Sequence, residues 1–133
     1  MPINERVKRL LWSRSGGYCQ NPGCQSDFFT FFENGEISSI EELAHMVARS
    51  SDGPRGQGAI PIGQRDEYEN IILLCPSCHS LVDKNPTQFP EALLLQWKAV
   101  HEQKIKDVFV APVFTSRGSL AARIHELLRE NSR

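Results

Sequence analysis

Two short cysteine pairs are the residues of this chain whose spacing most directly predicts chemistry. Cys19 and Cys24 flank the turn Gln-Asn-Pro-Gly, and Cys75 and Cys78 flank Pro-Ser. Two such pairs, distant in sequence, are typical of a structural zinc site, because four thiolates can surround Zn²⁺ as a tetrahedron. We therefore predict that all four cysteines bind one structural Zn²⁺. Buried free thiols, or disulfides in an exported protein, are the alternatives.

A histidine and an aspartate after the second cysteine pair predict a second metal site. His79 follows Cys78 directly and Asp83 lies four residues later. In a helix, residues four apart share one face, so both side chains can bind one hard or borderline cation. We expect Mg²⁺ or another divalent ion there, with coordination positions left open for further ligands. His79 as a spare zinc ligand and Asp83 as a capping residue are the alternatives.

Hydrophobic periodicity and turn residues predict the elements that hold these side chains. The stretch 37–47 fits either a helix or a strand, and we assign it to a strand. In chain order, the predicted elements are a helix capped by Asn4 and ended at Gly16, a β segment over Phe28–Phe32, a strand ending near His45, a strand over Asn70–Leu74, a helix over His79–Lys84 and a helix from Pro90. Residues 50–58, rich in Gly and Pro, are predicted to form a long loop.

We predict that the break at Ala111-Pro112-Val113 divides the chain into two parts. Residues 1–109 form the first domain. Residues 110–133 form a linker and a C-terminal helix, roughly Ser119 to Glu130, which serves oligomerisation or begins a further, regulatory domain.

Composition and charge exclude two classes of protein. The chain has 133 residues and a formal net charge of -1, so it is not a globally basic nucleic-acid binder, and any anionic partner must meet a local patch. The longest apolar run, residues 71–75, is far too short to cross a bilayer. The N-terminus lacks a secretory apolar region, so we expect a cytoplasmic protein without a membrane partner.

The order of these residues resembles a known family. His45 in Ala44-His45-Met46, Asn70, the Cys75–His79 segment and Asp83 form a His…Asn…Cys-x-x-Cys-His…Asp series. This series resembles the HNH endonucleases, in their subgroup with a four-cysteine zinc knuckle. The resemblance implies an α+β fold with a ββα-metal core and a structural zinc knuckle, flanked by N-terminal and C-terminal helices. It also implies metal-dependent hydrolysis of DNA, with RNA left open.

The resemblance also assigns roles to individual residues. His45 is the general base at the end of the first strand, and Asn70 orients it from the start of the second. His79 and Asp83 hold the catalytic metal. Many family members carry Asp where this chain has Ala44, which cannot coordinate, so the third ligand is a water or is recruited from Glu42.

Three arginines lie in or beside the loop between the two predicted strands. Arg49, Arg55 and Arg65 are predicted to contact nucleic-acid phosphates, because a guanidinium group binds phosphate in a bidentate manner. Two alternatives for the function remain. One is a zinc-knuckle module that binds nucleic acid without cleaving it. The other is the nuclease module of a larger anti-phage effector, since the Gly53–Gly56 segment resembles HNH modules of such systems.

Overall fold

Helix α1 (Glu5–Ser15) begins and ends at the residues that the sequence predicted. In the computed structural model, which describes residues 2–109 and 123–128, the Asn4 side chain accepts a hydrogen bond from the Arg6 amide at 2.7 Å. Gly16 adopts a left-handed conformation, φ 66°, and its amide donates to the Trp12 carbonyl. A Cβ atom at Gly16 would lie 2.9 Å from the Ile105 side chain, so glycine also permits close packing against the last long helix.

A small hairpin follows the first cysteine pair. Strand β1 (Phe29–Phe31) pairs with strand β2 (Ile37–Ser39) in antiparallel register, and all six residues are exposed. The Asn34 side chain accepts a hydrogen bond from the Glu36 amide within the turn, and Gly35 has a φ of 86°. The predicted β segment is confirmed.

Two further strands carry the candidate site. Strand β3 (Glu42–His45) pairs antiparallel with strand β4 (Ile71–Leu74), with Glu42 opposite Leu74 and His45 opposite Ile71. The prediction that a strand ends near His45 is confirmed. The second strand begins at Ile71 and not at the predicted Asn70, because residues 68–70 form a turn of 3₁₀ helix.

Helix α2 (Pro76–Lys84) follows β4 directly and completes a ββα unit. It begins three residues before the predicted start, because Cys75 serves as N-cap and proline is well accommodated in the first turn of a helix. Helix α3 (Glu91–Phe109) packs against α1 and contributes Leu94 to the core. The predicted α+β fold class is confirmed.

The core forms around β4, whose four residues are all buried. Leu11 of α1, Val82 of α2 and Leu94 of α3 pack in the same buried cluster. Among the described residues, we find no helix with both the length and the apolarity needed to cross a bilayer. Of the predicted C-terminal helix, residues 123–128 are helical, and the remainder of the 110–133 segment lies outside the described residues.

Candidate active site

The four cysteines converge on one point between the loop after α1 and the start of α2. Their Sγ atoms all lie within 4.8 Å of one another, and those of Cys24 and Cys75 are 3.9 Å apart. Four sulfurs bound as a tetrahedron at about 2.3 Å would be about 3.8 Å apart. The cluster therefore fits one tetrahedral metal ion. Across residues 2–109 and 123–128, it is the only convergent set of three or more such ligands.

Hydrogen bonds fix the two cysteine pairs relative to each other. The Asn21 carbonyl accepts from the Cys24 amide at 2.9 Å, which closes the first turn. The Asn21 side chain donates to Cys78 Sγ at 3.4 Å, and the Cys75 amide donates to Cys19 Sγ at 3.4 Å. Such donors favour the thiolate form that binds a metal.

The electrostatics of the thiols also favours a bound cation. Burial raises the pKa of Cys19 to about 11, and neighbouring thiolates add to the rise. Burial likewise raises the pKa of Cys78. Hydrogen bonding with Ser26 instead lowers the pKa of the exposed Cys24 to about 7. Because charges crowded together repel one another, the four thiols can ionise together only beside a compensating positive charge.

A second group, the His79 cluster, consists of Glu42, His79 and Asp83. His79 Nε2 is 3.0 Å from Asp83 Oδ2 across one turn of α2. His79 Nδ1 lies 2.8 Å from Glu42 Oε1 of β3. All three residues line a cavity of about 270 Å³, which Lys84 also borders.

The His79–Asp83 pair fits two ligands of one divalent ion. Adjacent ligands of an octahedral ion with bonds of about 2.1 Å are about 3.0 Å apart, the spacing found here. Glu42 faces the opposite ring nitrogen, and one imidazole offers a single nitrogen to a given ion. Glu42 would therefore have to move to join the same ion.

Hydrogen bonds within the His79 cluster stabilise the charged forms of its members. The hydrogen bond to Asp83, aided by Glu42 and opposed by burial, raises the pKa of His79 above its ordinary value. Burial acts to raise the pKa of Asp83, but hydrogen bonds from His79 and Arg55 outweigh it, so that pKa is lowered. The cluster thus holds a proton where a cation would bind.

A third group, the His45 cluster, consists of His45, Arg49 and Asp66. His45 Nε2 lies 2.7 Å from Asp66 Oδ1. The same oxygen accepts a hydrogen bond from Arg49 Nε and forms an ion pair with a terminal Arg49 nitrogen, each at 3.0 Å. Although burial acts to raise the pKa of Asp66, its hydrogen bonds with His45 and Arg49 lower it, so the carboxylate is ionised at neutral pH.

Asn70 is buried behind the His45 cluster and ties the ends of the long loop together. Its side-chain oxygen accepts from the Val47 amide at 2.9 Å, and its Nδ2 donates to the carbonyls of Val47 and Arg65, each at 2.8 Å. Its own carbonyl accepts from the Met46 amide. Asn70 therefore reaches His45 only through the main chain, and Asp66 is the residue that contacts the imidazole.

The three arginines of the loop differ in exposure. The Arg65 guanidinium is buried and donates to the carbonyls of Ile60, Ala48, Gly56 and Gly58. The Arg55 side chain, 6% exposed, donates to Met46, Val82, Phe89 and Asp83. Arg49 is 48% exposed. Because Arg65 and Arg55 already donate their hydrogen bonds to groups of the protein itself, we retain only Arg49 as a candidate phosphate contact.

Comparison with known proteins identifies part of the chain. The family described as HNH endonuclease matches residues 33–84. Residues 33–84 are therefore similar to the HNH endonuclease family. The matched segment contains β3, β4 and α2 with all members of the His45 and His79 clusters, whereas Cys19 and Cys24 precede it. No curated protein matches the chain.

Within the HNH segment, the two histidines leave β3 and α2 in different directions. Glu42 contacts His79. Successive residues of a strand point to opposite faces, so His45, three positions after Glu42, points to the opposite face. His45 does not line the His79 cavity. Arg55 joins the two regions, because it donates to the Met46 carbonyl beside His45 and to Asp83 beside His79.

Sequence reasoning missed two residues of this HNH segment. Asp66 lies in the irregular loop, where no periodicity marks a partner for His45. Lys84 borders the His79 cavity from the last turn of α2, and its place one residue after Asp83 was the available signal. Glu42 had been considered as a replacement ligand for Ala44, and the structure places it beside His79.

Proposed function

We propose that this chain is a metal-dependent endonuclease that hydrolyses phosphodiester bonds in DNA. The HNH match supports a nuclease-type function in general. The observation that carries the more specific proposal is the 3.0 Å spacing of His79 Nε2 and Asp83 Oδ2 beside a cavity within the matched segment. That spacing suits a divalent ion, and phosphodiester hydrolysis commonly requires one.

His79 and Asp83 would hold Mg²⁺ or another divalent ion. When bound, such an ion supplies positive charge to the phosphate and to the departing oxygen. Asp83 is prepared for this role because Arg55 holds its other oxygen at 2.6 Å, leaving Oδ2 toward the cavity. Glu42 lies on the same face of β3 as Ala44, so it is the acidic residue available to replace the missing aspartate.

His45 would remove a proton from the attacking water. A neutral imidazole accepts a proton readily near neutral pH, which suits a general base. Positions 42 and 45 are separated by about 10 Å along a strand, so the scissile phosphate would lie across the His45 end of β3. Because His45 and the His79 cluster lie on opposite faces of β3, the phosphate would have to extend across the edge of that strand to contact both.

Contacts to the nucleic-acid backbone would come from exposed cations beside this position. Arg49 flanks His45, and Lys84 borders the cavity next to His79. Backbone contacts position a strand without reading bases, so we expect weak sequence preference and affinity that falls as salt rises. RNA cleavage is the alternative, and incubation with an RNA substrate in place of DNA tests it.

The cysteine cluster would hold a structural Zn²⁺. Four sulfurs at tetrahedral spacing match zinc better than a hard cation, which prefers oxygen ligands. Cys75 and Cys78 lie at the start of α2, so the ion would fix the helix that presents His79. Its role is to position the site, not to react.

Plasmid cleavage tests the proposed function. Supercoiled DNA incubated with the protein and Mg²⁺, Mn²⁺ or Ni²⁺ should be nicked, and a chelator should stop the reaction. His45→Ala should reduce the rate at least about 100-fold while sparing the fold and DNA binding. His125→Ala, on the exposed helical segment 123–128, is the matched control and should cleave normally.

A specific observation favours a second candidate, a module that binds nucleic acid without cleaving it. Ala44 offers no ligand, and both ring nitrogens of His79 face carboxylates. DNA binding by wild-type protein without cleavage under any of the three metals would select this candidate. Four statements remain predictions: that the chain is part of a larger anti-phage effector, that it divides into two domains at residue 109, that it forms a homo-oligomer or carries a regulatory domain, and that it is cytoplasmic.

A further inference from the structure

One carboxylate oxygen of Asp66 contacts the side chains of both His45 and Arg49. Asp66 Oδ1 is 2.7 Å from His45 Nε2 and 3.0 Å from two nitrogens of Arg49. The guanidinium group can only donate, and an ionised carboxylate can only accept. In this arrangement His45 Nε2 must therefore be a donor, which means that it carries a hydrogen.

The position of that hydrogen determines which nitrogen of His45 can act as a base. A neutral imidazole carries one ring hydrogen, so a hydrogen at Nε2 leaves the lone pair at Nδ1. Among the described residues, His45 Nδ1 has no hydrogen-bond partner, and the side chain is 20% exposed. Nδ1 is thus free to meet a water or a substrate.

We propose that Asp66 is a positioning residue that holds His45 in the Nε2–H tautomer, so that Nδ1 is the atom that accepts the proton. This inference rests on the proposed function for its catalytic consequence, but the tautomer itself is a property of the free protein. Asp66 touches neither substrate nor metal in this scheme and acts only through His45.

The surrounding loop does not depend on the Asp66 carboxylate. The neighbouring Arg65 is anchored by its own buried guanidinium, and its carbonyl accepts from Asn70 at 2.8 Å. The side chain of Asp66, 35% exposed, makes its described contacts to His45 and Arg49 alone. Its removal should therefore release the imidazole without unfolding the loop.

Nuclear magnetic resonance of the histidine rings tests the tautomer directly. Long-range proton–nitrogen correlation spectra of metal-free protein, recorded near pH 8, should show His45 with hydrogen at Nε2. Asp66→Ala should give a mixture of tautomers, and Asp66→Asn, whose amide oxygen still accepts, should preserve most of the original form. Glu67→Ala, next in sequence, is the control and should leave the His45 signals unchanged. Hydrogen at Nδ1 in the wild type, or the same tautomer in Asp66→Ala, would overturn the proposal.

Kinetics tests the consequence for cleavage. Asp66→Ala should lower kcat about 10- to 100-fold with KM for DNA changed less than about 3-fold, and Asp66→Asn should recover part of the rate. Adding Asp66→Ala to His45→Ala should cause no further loss, because Asp66 acts through that imidazole. If the wild type cleaves but Asp66→Ala has an unchanged kcat, or changes only KM, the positioning role is refuted and the proposed function stands. If the wild type cleaves nothing, the proposed function fails, and the spectra still decide the tautomer.

Discussion

Arg55 donates to Asp83 Oδ1 at 2.6 Å from a residue whose backbone is left-handed, with a φ of 55°. A non-glycine residue adopts this conformation at a cost of roughly 1–2 kcal/mol. The other guanidinium hydrogens are donated to carbonyls of Met46, Val82 and Phe89, which come from three separate parts of the chain. The buried side chain therefore offsets the strain, and it fixes the distance between the end of β3 and the cavity side of α2.

Replacing Arg55 should destabilise the protein more than replacing the exposed Arg49. Arg55→Ala leaves Asp83 and several carbonyls without their donor, and breaking a buried ion pair of this kind costs about 3–5 kcal/mol. Arg55→Lys keeps the charge but cannot donate to all these acceptors. Its stability should therefore lie between those of Arg55→Ala and Arg49→Ala. Urea unfolding of the three proteins measures the difference. Equal midpoints for Arg55→Ala and Arg49→Ala would contradict a bracing role for Arg55.

Asn70→Ala should destabilise the loop by at least about 2 kcal/mol, because it leaves buried main-chain groups of Val47 and Arg65 unpaired. Asn70→Asp should cost more, since a carboxylate oxygen would face two carbonyl oxygens. Asn85→Ala is the matched control, because Asn85 is exposed and its Nδ2 donates only to the Leu81 carbonyl. Thermal unfolding checks the ranking. If Asn70→Ala were as stable as the control, the main-chain role would be wrong.

The sequence predicted those parts of the structure that depend on neighbouring residues. Asn4 and Gly16 cap the two ends of α1, and capping is a local interaction. His79 and Asp83 are in contact because they lie four residues apart on one helix. The four cysteines were found for a related reason, since zinc demands a recognisable spacing.

The contacts made by the irregular loop could not be predicted in this way. Arg65 and Arg55 were predicted to contact phosphate because they lie in the loop between the two strands and a guanidinium group binds phosphate well, yet the fold buries both against carbonyls. The pairing of His45 with Asp66 joins residues 21 positions apart through a segment without periodicity. Only the completed fold brings such residues together.

The stability of the protein should carry an acid-dependent contribution from Asp66. Its pKa is lower in the folded state than in the unfolded chain, so the stabilisation is complete above the unfolded value, about 3.9, and is lost as pH falls through the folded value. Asp66→Asn removes this contribution. The difference in Tm between wild type and Asp66→Asn should therefore be largest near neutral pH and shrink between about pH 5 and about pH 2. A difference that stays constant over that range would contradict the lowered pKa.

Metal removal should expose the cysteine cluster in a defined order. We expect one zinc ion per chain by elemental analysis, and Cys78→Ser should lose it, whereas the adjacent, exposed Ser77→Ala should retain it. After chelation, an alkylating reagent near pH 7 should modify Cys24 first, because this thiol is exposed and its pKa is about 7, while Cys19 is buried with a pKa of about 11. Bound zinc should suppress that labelling and raise Tm. Rapid labelling of Cys24 in metal-loaded protein, or a metal content unaffected by Cys78→Ser, would show that the four sulfurs do not share an ion.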